Sequence, residues 1–476
     1  MFSPYRFSLL ALPLLMAGCA GFSIDQSTAE LNRQFPQQTQ GELQLARDSS
    51  QAQALRHQAD ALLSTPLSQH DAVRLALWNS PAIQSWLAQH WGDGARLAQQ
   101  GRIANPLLNL ERSQLAGELE VARSLSVGLL DLLSLPRRQQ VSAAQLQQAQ
   151  LQFSQQVLQH ITQLRLAWVR AVAAQQSLEY AQQVNEAAEA GAELARRMRT
   201  AGNFSALQAA RQQSFSADAM TRLTEARQAQ LASREALIRL LGLDAEQVQA
   251  LQLPAHLPDL PAQPLAPEQI ASQLPQNRLD VRIAAAALHT AAQRQGLQLL
   301  QGWTDIELSV KRDTVFAAAT DSANASGGRV KRGLGLSIRL PFFDQGQLQR
   351  DAMRADTLAA SYQLENSLRQ GASQLRESYA AYHSSYEIAR HHRDVMLPLK
   401  RQIAEQNTLR YNGMLISVFE LLGSSREQIE GVLAAIQANQ QFWIADAELQ
   451  ASLLGAASPT ALRPASRAAA PPDAGH

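Results

Sequence analysis

Two kinds of apolar spacing alternate along this chain: a helical period near 3.5 and a strand period of two. Leu368, Leu375, Tyr379, Tyr382, Tyr386 and Ala389 follow the steps of four and three, or their sum, that make a heptad seam. Elsewhere Leu125, Val127 and Leu129 alternate with Ser124, Ser126 and Gly128, and Leu334, Leu336, Ile338 and Leu340 with Gly335, Ser337 and Arg339. Thr304, Ile306, Leu308 and Val310 likewise alternate with Asp305, Glu307, Ser309 and Lys311. Such segments predict strands with one apolar and one polar face. The charged face cannot enter a dry core, so it must meet water.

The same succession of patterns occurs twice. Asn79 to Glu111 overlays Asn277 to Ser309, and the stretch from Leu125 to Gly202 overlays Leu336 to Gly413 without a gap. The extra length of the second copy falls between Lys311 and Gly333, at a hairpin tip where insertions are tolerated. The first repeat, 68–242, predicts a helix, a β-hairpin at 104–132, a long helix at 136–199 and a return helix at 204–242. The second, 268–455, predicts a helix, a hairpin at 303–341, a long helix at 344–407 and a return helix at 415–455. Ser68 suits an N-cap, and Asn105 with Pro106 ends the first helix. Each long helix of about 64 residues would rise roughly 95 Å, so it needs lateral partners throughout. The first and return helices of a repeat, placed end to end, match that length and predict a midpoint seam. A Pro-rich connector at 243–267, carrying Pro254, Pro258, Pro261 and Pro264, should lie there as an extended strap. Residues 456–476 read as a disordered Ala/Pro-rich tail.

Composition sharpens this picture. The 476 residues carry 5% aromatics, 42 Lys plus Arg and 41 Asp plus Glu, a balance that favours neither nucleic acid nor an acidic substrate. At the N-terminus Arg6 precedes the apolar run Leu9–Met16, which is too short to span a bilayer and ends at Ala17, Gly18 and Cys19, the single cysteine. Residues 1–18 therefore read as a signal peptide that resembles a bacterial lipoprotein signal, with Cys19 lipidated and 19–67 a lipid-anchored N-terminal arm. In that pathway Ala20 directs the protein to the outer membrane. One cysteine excludes an internal disulfide.

Four strands with one apolar face and exposed edges must close with other copies. Two copies give a minimal barrel filled by its own side chains, whereas three give twelve strands and the beginning of a lumen.

At this point the residues resemble the outer membrane efflux protein family, the TolC-like exit ducts, over 68–455. The marks are Asn79-Ser80-Pro81, the segment Leu340-Pro341-Phe342-Phe343-Asp344-Gln345-Gly346-Gln347, and Tyr411-Asn412-Gly413 with Ser417. The first copy departs from them, reading Ser134-Leu135-Pro136-Arg137 and Thr200-Ala201-Gly202 at the corresponding places. The resemblance implies a mainly α chain with a membrane β-barrel: a homotrimer with a twelve-stranded barrel in the outer membrane and an α-helical tunnel in the periplasm. It further implies docking on a periplasmic adaptor (membrane fusion) protein linked to an inner-membrane efflux pump. The duct would be passive and would not be an enzyme.

Gly202 and Gly413 offer the left-handed backbone that reverses a chain between antiparallel helices. On the resemblance, Gly202, Asn203, Phe204, Ser205, Gly413, Met414, Leu415, Ile416 and Ser417 form the adaptor-docking tips. Pro398 removes a hydrogen bond inside the long helix and should bend it. Members of the family close the periplasmic end by inward coiling, which makes Pro398, Arg401, Gln402, Glu405 and Arg410 candidates for the constriction, or else an ordinary solvated face. His391 and His392 point about 100° apart on a helix and His383 lies more than two turns away, so no metal site is expected. No cofactor motif is present. The alternative reading, a periplasmic coiled-coil adaptor or scaffold lipoprotein, shares lipidation and helical hairpins but has one hairpin and no amphipathic strands between helices.

Overall fold

The computed structural model describes residues 21–115, 118–267, 277–301, 306–316, 329–338, 340, 342–343 and 345–457. The expected signal segment 1–18, Cys19 with Ala20, the expected tail beyond residue 457, residues 317–328, Pro341 and Asp344 lie outside the described residues.

The protein is mainly helical. Three short helices, α1 (Ile24–Gln34), α2 (Pro36–Thr39) and α3 (Ser49–Leu62), lead into α4 (Gln69–Asn79) and α5 (Pro81–Gln100). Strands β1 (Leu107–Leu115) and β2 (Glu118–Gly128) follow, then α6 (Leu129–Thr200), α7 (Ala206–Leu241) and the short α8 (Ala245–Ala250). After the connector come α9 (Leu279–Gln301), β3 (Ile306–Phe316), β4 (Arg329–Ile338) and α10 (Gln347–His391). A π-turn at His392–Met396 leads into α11 (Leu397–Asn412), and α12 (Val418–Leu454) returns.

The helix expected from Ser68 to Gly101 is two helices, because Pro81 holds the preceding Ser80 in an extended conformation (φ −72°, ψ 116°). Ser68 caps α4 by accepting from the Asp71 N–H. The first long helix starts at Leu129 rather than 136, with Pro136 inside its opening turns. Arg138 holds that start, donating to the Gln100 and Arg102 carbonyls and to Asp131 Oδ1.

The chain divides into two compact units. One gathers the described residues of Ala88–Phe153 and Arg282–Ser367 with Gly21–Ile24, and holds the sheet. Its helical part is joined by close contacts: Ser142 Oγ donates to the Leu97 carbonyl, and His90 stacks on Phe153 with ring centres 4.4 Å apart. Phe22 occupies the space that a Cβ on Gly94 would need. The strands form one antiparallel sheet in the order β1-β2-β3-β4, with Leu108, Leu125, Val310 and Leu334 in a single cross-strand row.

The second unit gathers the described residues of Asp25–Leu87, Ser154–Val281 and 368–457, and here the helical seam finds its partners. Tyr382, Tyr386 and Ala389 are buried with Phe442, Ala445 and Leu449 of α12, flanked by Leu375 and Tyr379. The connector lies on these aromatics. Prolines donate no backbone N–H and an extended chain leaves its carbonyls open. Tyr386 Oη donates to the Pro261 and Ala262 carbonyls, Tyr379 Oη to Leu265, and Trp443 Nε1 to Pro258. The Leu265 N–H in turn donates to Tyr382 Oη.

Two glycines end α7 and α12 against the starts of α5 and α9. Gly242 is left-handed (φ 69°), and a Cβ there would lie 2.6 Å from Pro81 Cδ and 2.8 Å from Ser80 Cα. Asn79 Nδ2 fixes the junction by donating to the Gly242 carbonyl and to Gln247 Oε1. Gly455 (φ 71°) sits in the same way against Leu279 and Asp280, beside the buried Arg278, which pairs with Asp280 and donates to the Ser452 carbonyl.

Candidate functional site

The sheet separates its side chains by chemistry. Because strand residues alternate, one face carries Leu108, Leu110, Leu119, Val121, Leu125, Val127, Ile306, Leu308, Val310, Val330, Leu334, Leu336 and Ile338. Most of these are open to solvent in the single chain, Leu334 by 80% and Leu108 by 60%. The opposite face carries Asn109, Ser124, Ser126, Ser309 and Ser337 with charged residues of both signs. There Lys331 pairs with Glu120 at 3.8 Å. Among the described residues β1 and β4 each have a neighbour on one side only.

The two helical tips are built alike but not from the same residues. At the first, Gly202 (φ 80°) follows α6, its N–H donating to the Arg199 carbonyl while the Asn203 N–H donates to Met198. This is a Schellman ending with glycine at the left-handed position. At the second, the left-handed residue is Met414 (φ 58°), whereas Gly413 has φ −80°. The expectation that Gly413 supplies the left-handed bend is corrected by one position. The hydrogen bonds give the reason: Leu415 N–H to Arg410 O and Met414 N–H to Tyr411 O define a Schellman ending one residue later.

Both return helices start with a capping box. Ser205 and Gln208 reciprocate at α7, and Ser417 and Glu420 at α12. The tips differ in what they expose. Phe204 is turned in, 9% exposed, so the first tip presents Gly202, Asn203 and Ser205. At the second, Met414 is 93% and Leu415 74% exposed, and Ile416 is half-buried.

Pro398 occupies the second position of α11, directly after the π-turn. What precedes the proline is a π-turn: the Leu397 N–H bonds to the His392 carbonyl, which absorbs one extra residue. Arg401, Gln402, Glu405 and Arg410 are all exposed, and α11 buries none of its described side chains. Pro398, Arg401, Gln402 and Glu405 line one shallow groove with Arg393 and Leu397. Lys400, in contrast, ties α11 to α12 by pairing with Glu427 at 2.7 Å.

Inside the second unit, burial pushes the Asp446 carboxyl up to about 6, against the opposing pull of Arg165. Burial also lowers His160, which meets the Trp86 ring edge-on. Asp446 was not singled out from sequence, where an acid amid apolar helix positions gives no sign of which neighbours enclose it. Among the described residues no cluster of three His, Cys, Asp or Glu side chains could hold a metal ion, and no helix is long and apolar enough to cross a membrane.

No family model and no curated protein matches the chain. Solved structures do. The outer membrane protein VceC from Vibrio cholerae superposes with a TM-score of 0.66 at 17% identity, covering 86% of this chain and 99% of that one. The Campylobacter jejuni CmeC outer membrane channel gives 0.66 at 13%, covering 84% and 85%. The open state of the Neisseria gonorrhoeae MtrE outer membrane channel gives 0.62 at 17%, covering 84% and 89%. The chain has the fold of these outer membrane channels. At such identities it is the fold that is shared.

Proposed function

We propose that this protein is the outer membrane exit duct of a tripartite efflux system, a passive, non-enzymatic conduit. The observation that carries the reading is the open sheet, with an apolar face exposed, a charged face opposite and two unpaired edges. In this proposal three chains join β1 of one to β4 of the next, giving a twelve-stranded barrel whose apolar face meets lipid and whose polar face lines a water-filled lumen. The similarity in fold to outer membrane channels supports this assembly.

The helices continue the conduit into the periplasm. Ile388, Val395, Leu399 and Leu409 remain exposed along α10, the π-turn and α11 in the single chain, an apolar surface that sister subunits would cover. The tips at Gly202, Asn203, Phe204, Ser205 and at Gly413, Met414, Leu415, Ile416, Ser417 dock the adaptor protein, with Met414 and Leu415 as the apolar anchors and Phe204 as internal support. Arg401, Gln402, Glu405 and Arg410 line the periplasmic constriction below the Pro398 bend. Cys19 carries the lipid anchor, and the inner-membrane pump supplies both energy and cargo choice.

Reconstitution in planar bilayers tests the duct. Purified trimers should produce discrete ionic conductance steps, and Arg401→Ala with Glu405→Ala should raise the unit conductance if those side chains narrow the passage. Protein that stays soluble and monomeric without detergent, and leaves the bilayer silent, would overturn the reading.

A further inference from the structure

The lipid-facing side of the sheet is not uniformly apolar. Arg123, Arg312 and Arg332 stand directly opposite one another on β2, β3 and β4, with Leu110 completing the row on β1. Arg112 follows one row further toward the hairpin loops. Every acidic residue of the described strands, namely Glu111, Glu118, Glu120, Glu307 and Asp313, falls on the other face, as do Lys311, Arg329 and Lys331. One face is therefore mixed in sign and the other purely cationic.

Like charges directly opposite across strands destabilise a sheet. The three guanidinium groups are exposed, and among the described residues none has an acidic partner. An anion from outside the chain would relieve that repulsion. The place of the row says which anion. Between it and the helix end of the sheet lie only apolar rows on this face, Leu125 with Val310 and Leu334, Val127 with Leu308 and Leu336, and Ile306 with Ile338. From Leu340 to Arg332 is about 27 Å along the strand, or about 21 Å of membrane depth at a tilt near 40°, close to the height of an outer membrane barrel's apolar band. The row thus stands where acyl chains give way to headgroups, and guanidinium groups can reach toward that boundary.

Resting on the duct reading above, we propose that Arg123, Arg312 and Arg332 form a binding site for phosphate-bearing lipids of the outer leaflet. The planar forks bind phosphate oxygens while the acyl chains lie on the leucine rows beneath. Arg112 extends the site toward the loops.

Native mass spectrometry of the detergent-extracted full chain tests this with three probes: phosphatidylglycerol, a diacylglycerol with the same chains, and inorganic phosphate. Wild-type trimers should take up phosphatidylglycerol and not diacylglycerol. R123Q/R312Q/R332Q should bind it roughly 100-fold more weakly and R123K/R312K/R332K, which keeps the charge and loses the forks, to an intermediate degree, while R329Q/K331Q on the opposite face retains it. Should the triple glutamine variant not assemble, R312Q alone should weaken uptake about fivefold. Equal uptake by wild type and the glutamine variants, or displacement of the lipid by inorganic phosphate at equal concentration, would overturn the lipid site while intact trimers left the duct standing. A monomer that needs no detergent would overturn both.

Discussion

Met414 holds a left-handed backbone without being glycine, in a turn whose neighbouring glycine takes an ordinary φ. That conformation costs an L-residue about 1–2 kcal/mol, so Met414→Gly should stabilise the folded chain by about 1 kcal/mol after the added chain entropy. A chemical denaturation midpoint that fell instead would show that the Met414 side chain makes stabilising contacts. Sequence reasoning located this turn but placed its bend on Gly413, because residue type reports where left-handed backbone is cheap, whereas the hydrogen bonds of the preceding helix decide where it falls. Asp446 offers a second test. Its folded value near 6 exceeds the usual 3.8, so between those pH values the folded chain binds a proton that the unfolded chain has released. Stability at this site is therefore lost as pH rises through that window. Asp446→Asn should add up to about 3 kcal/mol at pH 8 and almost nothing below pH 4, as read from urea unfolding at the two pH values. An equal gain at both would place the cause in packing rather than charge.

At the scale of elements, joints between helices matter as much as the helices. The strands show in the sequence because the alternation at Leu125 and Val127 or Leu334 and Leu336 is a local signal. The seam at Tyr379, Tyr382 and Tyr386 shows for the same reason. Their second role does not: the connector carbonyls they serve lie more than a hundred positions away, and no local pattern announces the match. Removing the shared donor with Tyr386→Phe should cost about 1 kcal/mol, since the half-buried Pro261 carbonyl and the more open Ala262 carbonyl lose their partner while the ring remains. Thermal melting checks it, and an unchanged midpoint would mean that the Tyr386 hydroxyl adds nothing to what the other connector contacts already hold. The break at Ser80 was legible in Pro81, yet the apolar period runs across it and suggests one helix. Gly242→Ala should be more damaging than a helix-end substitution ordinarily is, by about 2 kcal/mol or more, because the new methyl meets Pro81 and Ser80 on a left-handed backbone.

At the scale of the whole molecule, what one chain leaves uncovered carries the functional reading. The exposed leucine rows of the sheet and the exposed aliphatic residues of α11 are surfaces a solitary chain has no means to bury. Substitutions should sort by sheet face. Leu336→Lys, midway along the apolar rows, should lower the yield of trimer from detergent extracts by a cost of about 2–4 kcal/mol, whereas Ser337→Lys on the polar face should assemble normally. The central claim is that the unpaired edges of β1 and β4 meet on sister subunits. With Cys19 the single native cysteine, new pairs can be placed cleanly: Asn109→Cys on β1 combined in turn with Gly333→Cys, Gly335→Cys or Ser337→Cys on β4. After mild oxidation in membranes, at least one register should give covalent species at two and three times the monomer mass on a denaturing gel. Monomers in every pairing would contradict the closed barrel, and with it the duct.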